Sequence, residues 1–389
     1  MYFTLHRTRL MLFPERKGSS SVLSATAIPR LATSPSFTFR DADAIGWNAF
    51  LARTPGGSYQ QTSLWGLAKL AVGYRTQRFV LEDGNAIIGG AQLLIRPLPL
   101  GLSVAYIPLG PILGSGSLEF IDNLLERIHW TAERHKITYL AVQAPRGQEA
   151  ITAKLQTLGF SPSLVDVAPN ASVVLDLSQS LDALLAKMHK TTRYDIKAAQ
   201  RKGITVRQGS ENDLGVLQRL LFATASRQHF RTLSQKYLSE VWRLFSRGQH
   251  IKMFVAEFDG QPVSAAAMMA FGDTVTYWKG GWSGEHGNRY PNEALQWTAV
   301  QWAKGQGYRY YDFGGIPRAL AKAVLGGESI RKQGNYNVGF FKLGFGGQVE
   351  LFPQALSHVY HPLLRRIWSA VSKATSRLPR VKDFLNKVR

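Results

Sequence analysis

An α+β fold made of two tandem copies of one unit is what this sequence predicts, and three observations predict it. The chain has 389 residues, more than one ordinary hydrophobic core fills. A turn signal recurs, because Asp83-Gly84 and Asp259-Gly260 each stand between two apolar, strand-like runs. Tyrosines then fall at matched places downstream: Tyr106 with Tyr277 and Tyr139 with Tyr310, both pairs 171 residues apart. A repeat of such long period means duplicated domains rather than a solenoid.

The elements follow in order. Residues 47–70 read as helical with an interruption at Pro55-Gly56-Gly57. Residues 76–82 and 86–95 form the first hairpin, and residues 102–109 a third strand. Residues 118–134 show helical spacing of Phe120, Ile121, Leu124, Leu125 and Ile128, and residues 137–143 read as a buried strand. The second copy repeats this order with strands at 252–258, 262–271 and 274–279, a helix at 292–305 and a strand at 308–313. An antiparallel meander, then a helix, then a strand is the core order of the acetyltransferase (GNAT) fold. Between the copies, residues 181–202 read as one helix rich in Lys and Arg, and residues 213–245 as one or two more. No long heptad segment occurs, so no coiled-coil arm is expected. The expected domains are 37–175 and 176–355, with an N-terminal extension lacking structure (1–36) and a basic amphipathic tail (356–389).

Composition narrows the function. There is no cysteine, which excludes a disulfide framework, a thiolate zinc site and a cysteine nucleophile together. The nine histidines show no metal-ligand spacing, so no metal site is expected. The net charge of +21 favours an anionic partner such as tRNA, a phosphorylated substrate or an anionic membrane. Both ends are strongly basic, but the body stays basic without them. No apolar run approaches the roughly 20 residues of a membrane span, and residues 1–36 lack the apolar segment and cleavage site of a signal peptide. In the tail, Leu363, Leu364, Ile367, Trp368 and Val371 recur at helical spacing beside Arg365, Arg366 and Lys373, the pattern of a helix lying in a membrane interface. The same stripe could equally pack on the second domain.

Four segments can carry chemistry. Tyr106-Ile107-Pro108-Leu109-Gly110-Pro111 is a strand whose Pro and Gly end its ladder and turn its tip outward. Tyr310-Tyr311-Asp312-Phe313-Gly314-Gly315 puts an acid and two glycines at a strand end, where a ligand can approach backbone closely. The alternative for Asp312 is a carboxylate that caps neighbouring amides. In Gly339-Phe340-Phe341-Lys342-Leu343-Gly344-Phe345-Gly346-Gly347, read as a strand, Lys342 could stabilise an oxyanion or bind phosphate. Arg227, in Ala225-Ser226-Arg227-Gln228-His229-Phe230, could fork onto a phosphate.

Taken in this order, and with Ser63-Leu64-Trp65-Gly66-Leu67-Ala68-Lys69, these segments resemble the FemABX family of non-ribosomal peptidyltransferases. The resemblance spans about residues 40–360. It implies a tandem GNAT fold and a cytoplasmic aminoacyltransferase that takes an amino acid from aminoacyl-tRNA. The acceptor it implies is the stem peptide of a UDP- or lipid-linked muropeptide precursor; the amphipathic tail would add peripheral contact with the inner membrane surface. By the same resemblance Lys69 and Arg227 contact the precursor's diphosphate, Tyr277 is a further substrate contact, and Phe341 and Lys342 lie next to the reacting centre; Tyr106, at its strand tip, is a further candidate substrate contact, and Asp312 a further candidate catalytic group. Gln228-His229 departs from the acid common in the family after the arginine. No cofactor is implied: the donor is an activated ester, and the site has only to orient an amine, stabilise an oxyanion and handle a proton. A coenzyme-A-dependent N-acyltransferase is the alternative, but the Gln/Arg-x-x-Gly-x-Gly/Ala turn that cradles its pyrophosphate is missing.

Overall fold

The computed structural model describes residues 37–361 except 42, 116, 229–231 and 329–336. The expected N-terminal extension, the apolar stripe of the tail, and His229 and Phe230 lie outside the described residues.

The first half builds strands β1 (Phe37–Asp41), β2 (Arg75–Asp83), β3 (Ala86–Pro97), β4 (Ser103–Ile107), β5 (Ile112–Leu113), β6 (Ile137–Val142) and β7 (Ser161–Pro162). Its helices are α1 (Ala44–Arg53), α2 (Ser63–Leu70), α3 (Ile121–Arg134) and α4 (Glu149–Thr157). The second half adds strands β8 (Ala171–Asp176), β9 (Ile204–Gly209), β10 (Ile251–Phe258), β11 (Gln261–Phe271), β12 (Thr274–Trp282), β13 (Tyr310–Gly315), β14 (Gln348–Leu351) and β15 (Leu356–Val359). Its helices are α5 (Leu181–Lys187), α6 (Lys190–Arg201), α7 (Leu214–Gln228), α8 (Gln235–Ser246), α9 (Pro291–Gly305), α10 (Arg318–Leu325) and α11 (Asn337–Leu343). The longest helices among the described residues, α7 and α9, have 15 residues each, too short for a coiled-coil arm.

Two mixed sheets result. The first runs β1-β2-β3-β4-β6-β15-β7, with β5 on β3; the second runs β14-β8-β13-β12-β11-β10-β9. Each repeats one plan: a hairpin (β2–β3, β10–β11), a third antiparallel strand (β4, β12), then a helix leading to a strand parallel to the third (β6, β13). The turn of the second hairpin holds Asp259 at φ 49° and Gly260 at φ 71°, the left-handed pair that a two-residue turn matched to strand twist needs.

The boundaries differ from expectation at both ends of the second copy. The division expected at 175/176 falls inside β8, which pairs with β13 and β14 in the second sheet. Ala171, Ser172, Val173, Val174 and Leu175 are all buried, so this run goes where two partners cover both of its edges. Likewise the first residues of the expected tail are not tail: β15 pairs antiparallel with β6 and closes the first sheet. The single helix expected over 181–202 is also two helices. They break at Met188-His189, where the His189 N–H donates to the Gly344 carbonyl (2.9 Å) and the Arg193 guanidinium caps the Ala186 and Met188 carbonyls at 2.7 and 3.0 Å.

Among the described residues, the three largest buried clusters hold the fold. One lies under the first sheet with α3 and α4, and a second under the second sheet with α9. The third is shared: Leu94 of β3 and Trp65 of α2 pack with Leu217 of α7, Trp242 of α8 and Met253 of β10. Burying a large apolar side chain is worth about 1.5–3 kcal/mol, so this shared cluster welds the two copies into one body.

Candidate active site

The parallel ladder between β12 and β13 runs only from Thr274↔Tyr310 to Thr276↔Asp312. There β13 swings toward β8, with a register shift before Gly315↔Ser172. Gly314 makes the swing possible. Its φ is 71°, and a Cβ there would stand 2.8 Å from the Tyr277 carbonyl oxygen. Asp312 is pinned at the bend: its Oδ1 accepts from the Ser172 hydroxyl and from the Gly314 N–H at 2.7 Å. It thus caps an amide as well as facing the site. Burial raises its pKa, opposed by those two donors and by the charges of Lys342 and Arg146.

Lys342 reaches the same bend from helix α11, not from the strand read over 339–347. The i,i+4 contact of Phe341 with Phe345 (5.4 Å between centroids) and the tilted packing of Phe345 against Phe313 (4.7 Å) turn one aromatic face inward. The glycines are the helix's end: Gly346 has φ 74°, the left-handed stop of a C-terminus. Lys342 is 7% exposed. Its Nζ donates to the Gly315 carbonyl at 2.7 Å and lies 5.6 Å from the Tyr277 ring centroid. Burial first, then Lys279, pushes its pKa down to about 8, while Asp312 holds it up. Near neutrality it is therefore mostly an ammonium in a poorly solvated place, with N–H donors left for a reacting oxygen.

A cleft of about 560 Å³ opens between the two copies onto this bend. Its floor includes Thr276, Asp312 and Gly314; its walls include Tyr59 and Gln60 before α2, and its mouth Arg53, Arg146 and Arg309. Lys342 stands just behind the floor, 3.8 Å from where a Cβ of Gly314 would be. Burial raises the Tyr59 and Tyr277 phenols to about 12, so both stay protonated.

Of the residues singled out in the sequence, Lys342, Asp312 and Tyr277 come together, with Phe341 on the same helix. Lys69 and Tyr106 form a second group around Tyr74: Lys69 Nζ lies 5.1–5.5 Å from the rings of Trp65, Tyr74 and Tyr237, and Tyr74 meets Tyr106 edge-on at 5.5 Å. Trp65 also touches Trp278, the neighbour of Tyr277, at 6.4 Å. Arg227 sits at the far end of β12, donating to the Trp282 and Ser283 carbonyls at 2.5 and 2.6 Å and lying over the Trp282 ring. Neither Lys69 nor Arg227 lines the cleft. Ser172, Tyr59, Gln60 and the three arginines were not found from the sequence. Ser172 and Arg146 lie far along the chain from the glycine-rich motifs, Arg53, Tyr59 and Gln60 flank the Pro55-Gly56-Gly57 break, and Arg309 adjoins the Tyr310–Gly315 motif but reads there as an ordinary surface cation.

Two copies of an acetyltransferase-type unit, with Lys342 buried where they meet the cleft, define a tandem GNAT protein of the acyltransferase class. The sequence model of the FemAB family matches residues 44–261 and 257–367, and the chain belongs to that family. A relative named Lipid II:glycine glycyltransferase, from Staphylococcus saprophyticus, is 21% identical over 341 residues, covering 69% of this chain and 82% of that protein. The crystal structure of FemX superposes with a TM-score of 0.75 at 18% identity, covering 85% of this chain and 99% of FemX. A tandem GNAT protein from the clavulanic acid biosynthesis pathway gives a TM-score of 0.51 at 12% identity over 84% of this chain and 99% of its own. These likenesses agree with the tandem GNAT fold predicted from the element order.

Proposed function

We propose that this protein transfers an amino acid from aminoacyl-tRNA to an amine on the stem peptide of a peptidoglycan precursor, forming an interpeptide bridge. The observation that carries the reading is the Lys342 ammonium held beside Asp312 at the bend of β13, just behind the floor of the cleft. The name of the staphylococcal relative supports a lipid-linked acceptor, and such an acceptor would put the reaction at the cytoplasmic surface of the membrane.

The chemistry needs little beyond that geometry. The acceptor amine attacks the ester carbonyl of the donor; the N–C bond forms as the ester C–O bond breaks. The negative charge that gathers on the carbonyl oxygen meets the Lys342 N–H donors, preorganised by the Gly315 carbonyl. The proton shed by the amine ends on the 3′-oxygen that leaves with the tRNA. Asp312 keeps Lys342 charged, and the neutral phenol of Tyr59, in the cleft wall, offers a hydrogen bond without adding charge.

Incubating the purified protein with charged tRNAs and with lipid-linked or UDP-linked muropeptides, with mass detection of the product, tests this. A muropeptide heavier by one amino acid residue is expected, with the lipid-linked acceptor preferred and the enzyme sedimenting with anionic vesicles. Acylation of an amine or sugar from acyl-coenzyme A, with none from tRNA, would replace this reading with the alternative one.

A further inference from the structure

We propose that the seam between α2 and α8 is a docking face for an anionic membrane surface, with Leu67, Leu70 and Leu244 entering the lipid interface and Lys236 and Arg247 meeting its phosphates. The face rests on the reading of a lipid-linked acceptor for its purpose, but it is argued from its own composition. A helix on a protein surface normally turns polar residues to water. Helix α2 does not. Lys69 is the one charge among its eight residues, and its outer side shows Leu67 at 45% and Leu70 at 49% exposure. Single exposed apolar side chains are common and need no explanation. Among the described residues, though, α2 is the one helix that exposes two large ones. Leu244 of α8 continues the apolar strip across a groove of about 410 Å³, in which Ala71 also lies.

The charges beside the leucines select the partner. Lys236, Glu240, Arg243 and Arg247 follow one another at helical spacing along α8 and its C-cap, so they share one side of that helix. Arg243 donates twice to Glu240, at 2.6 and 2.9 Å, and the two charges cancel. Lys236 and Arg247 are exposed and remain as net positive charge. A second copy of the chain would set these cations against their own kind, and a molecule of net charge +21 repels itself as a whole. An anionic bilayer answers both parts of the face, because its interface takes leucines and its phosphates take cations. The face also lies where a membrane-borne acceptor is needed. Successive residues of an α-helix turn by about 100°, so Leu67 and Leu70 point away from Trp65, which meets Trp278 of β12 at 6.4 Å on the inner side. One helix thickness, about 10 Å, therefore separates the face from the strand that carries Tyr277. A stem peptide of a few residues, at about 3.5 Å each, covers that depth.

The test uses the full-length protein and sedimentation with vesicles of phosphatidylcholine, with and without phosphatidylglycerol, free of any precursor. The wild type is expected to sediment with the anionic vesicles and to stay behind with the neutral ones. Leu67→Gln with Leu70→Gln is expected to weaken vesicle binding about 10- to 100-fold at an unchanged melting temperature, since both side chains already stand half in water. Lys236→Gln with Arg247→Gln is expected to weaken it about 10- to 30-fold at low salt, with the gap to the wild type closing as salt rises. On a lipid-linked precursor held in neutral detergent, both double variants should keep kcat within twofold. Unchanged vesicle affinity in either variant overturns the face, as does a wild type that stays in the supernatant or a dimer in solution that the leucine variant splits. If the wild type binds vesicles through this face but transfers nothing to a lipid-linked acceptor, the acceptor reading falls and the face stands. If transfer to vesicle-borne precursor runs alike in the wild type and the leucine variant, the face falls alone.

Discussion

The two copies of the repeat differ most where their third and fourth core strands meet. In the first copy the parallel ladder of β4 and β6 runs to Ile107↔Val142 and continues past it: the Gln143 N–H donates to the Ile107 carbonyl at 3.0 Å, and the Gly110 N–H to the Gln143 carbonyl at 2.9 Å. In the second copy the ladder of β12 and β13 stops at Asp312. At the spacing of the matched tyrosines, Asp312 answers to Ala141 and Gly314 to Gln143. Ala141 is buried in an apolar cluster. Gln143 is fully buried, and its side chain bonds the Pro169 carbonyl (2.9 Å) and the Ala168 N–H (2.8 Å), tying the first sheet to the segment that leads into the second. The same frame is therefore sealed in one copy and open in the other. Sealing needs a small apolar residue and a bonded amide; opening needs an acid, a glycine in the left-handed region and a lysine from a later helix.

The sharpest way to break the comparison is Lys342→Met, which makes the open copy apolar like the sealed one. Turnover should fall by about two to three orders of magnitude, the loss typical of one transition-state charge contact. The fold should not suffer. The folded pKa of about 8 lies below the usual lysine value of 10.5, so below pH 8 the wild type bears the full cost of a buried ammonium. Between pH 8 and 10.5 the unfolded chain holds more protons than the folded one, so that cost fades as pH rises. The variant should thus melt no lower than the wild type at pH 7, and any advantage should shrink by pH 10. A folded variant with wild-type kcat would remove Lys342 from the chemistry.

Gln143→Ala strikes the sealed copy instead. It leaves the Ala168 N–H and the Pro169 carbonyl without that side chain, at a cost of about 2–3 kcal/mol. Denaturant titration should show that loss, while kcat per folded molecule stays within about twofold. A collapse of kcat at full stability would mean that both junctions serve the reaction.

The smallest effect is expected from Asp312→Asn, which keeps an acceptor for Ser172 and Gly314 and removes only the charge. Asp312 favours the charged form of Lys342, so its loss lowers the lysine pKa further and moves the alkaline limb of the rate profile to lower pH. At pH 7 the rate should drop less than about tenfold, because Lys342 still starts near 8. A limb that does not move would separate the two groups electrostatically.

Most of the frame was legible in the sequence. The Asp-Gly turns and the matched tyrosines located both hairpins and both parallel strands, because turn chemistry and strand periodicity are properties of a few neighbouring residues. The site was half legible. Asp312 and Lys342 stood out as charges among glycines and aromatics, but the lysine motif was read as a strand, since alternating Phe and Gly mimic one. The i,i+4 pair Phe341 and Phe345 and the glycine stop were the helical signals.

What the sequence by itself determined, then, is the duplicated order of elements, the absence of any thiol chemistry and the strongly basic charge, each fixed by local pattern or by composition. Tertiary structure alone decided that β8 and β15 join the sheets they do, that Lys342 enters the bend of β13 from a helix, and that Arg53, Arg146 and Arg309 share one opening. Those choices join residues tens to hundreds of positions apart. Which edge a strand covers, and which charges converge, is settled by burial and pairing over the whole fold, and no local window of sequence holds that information.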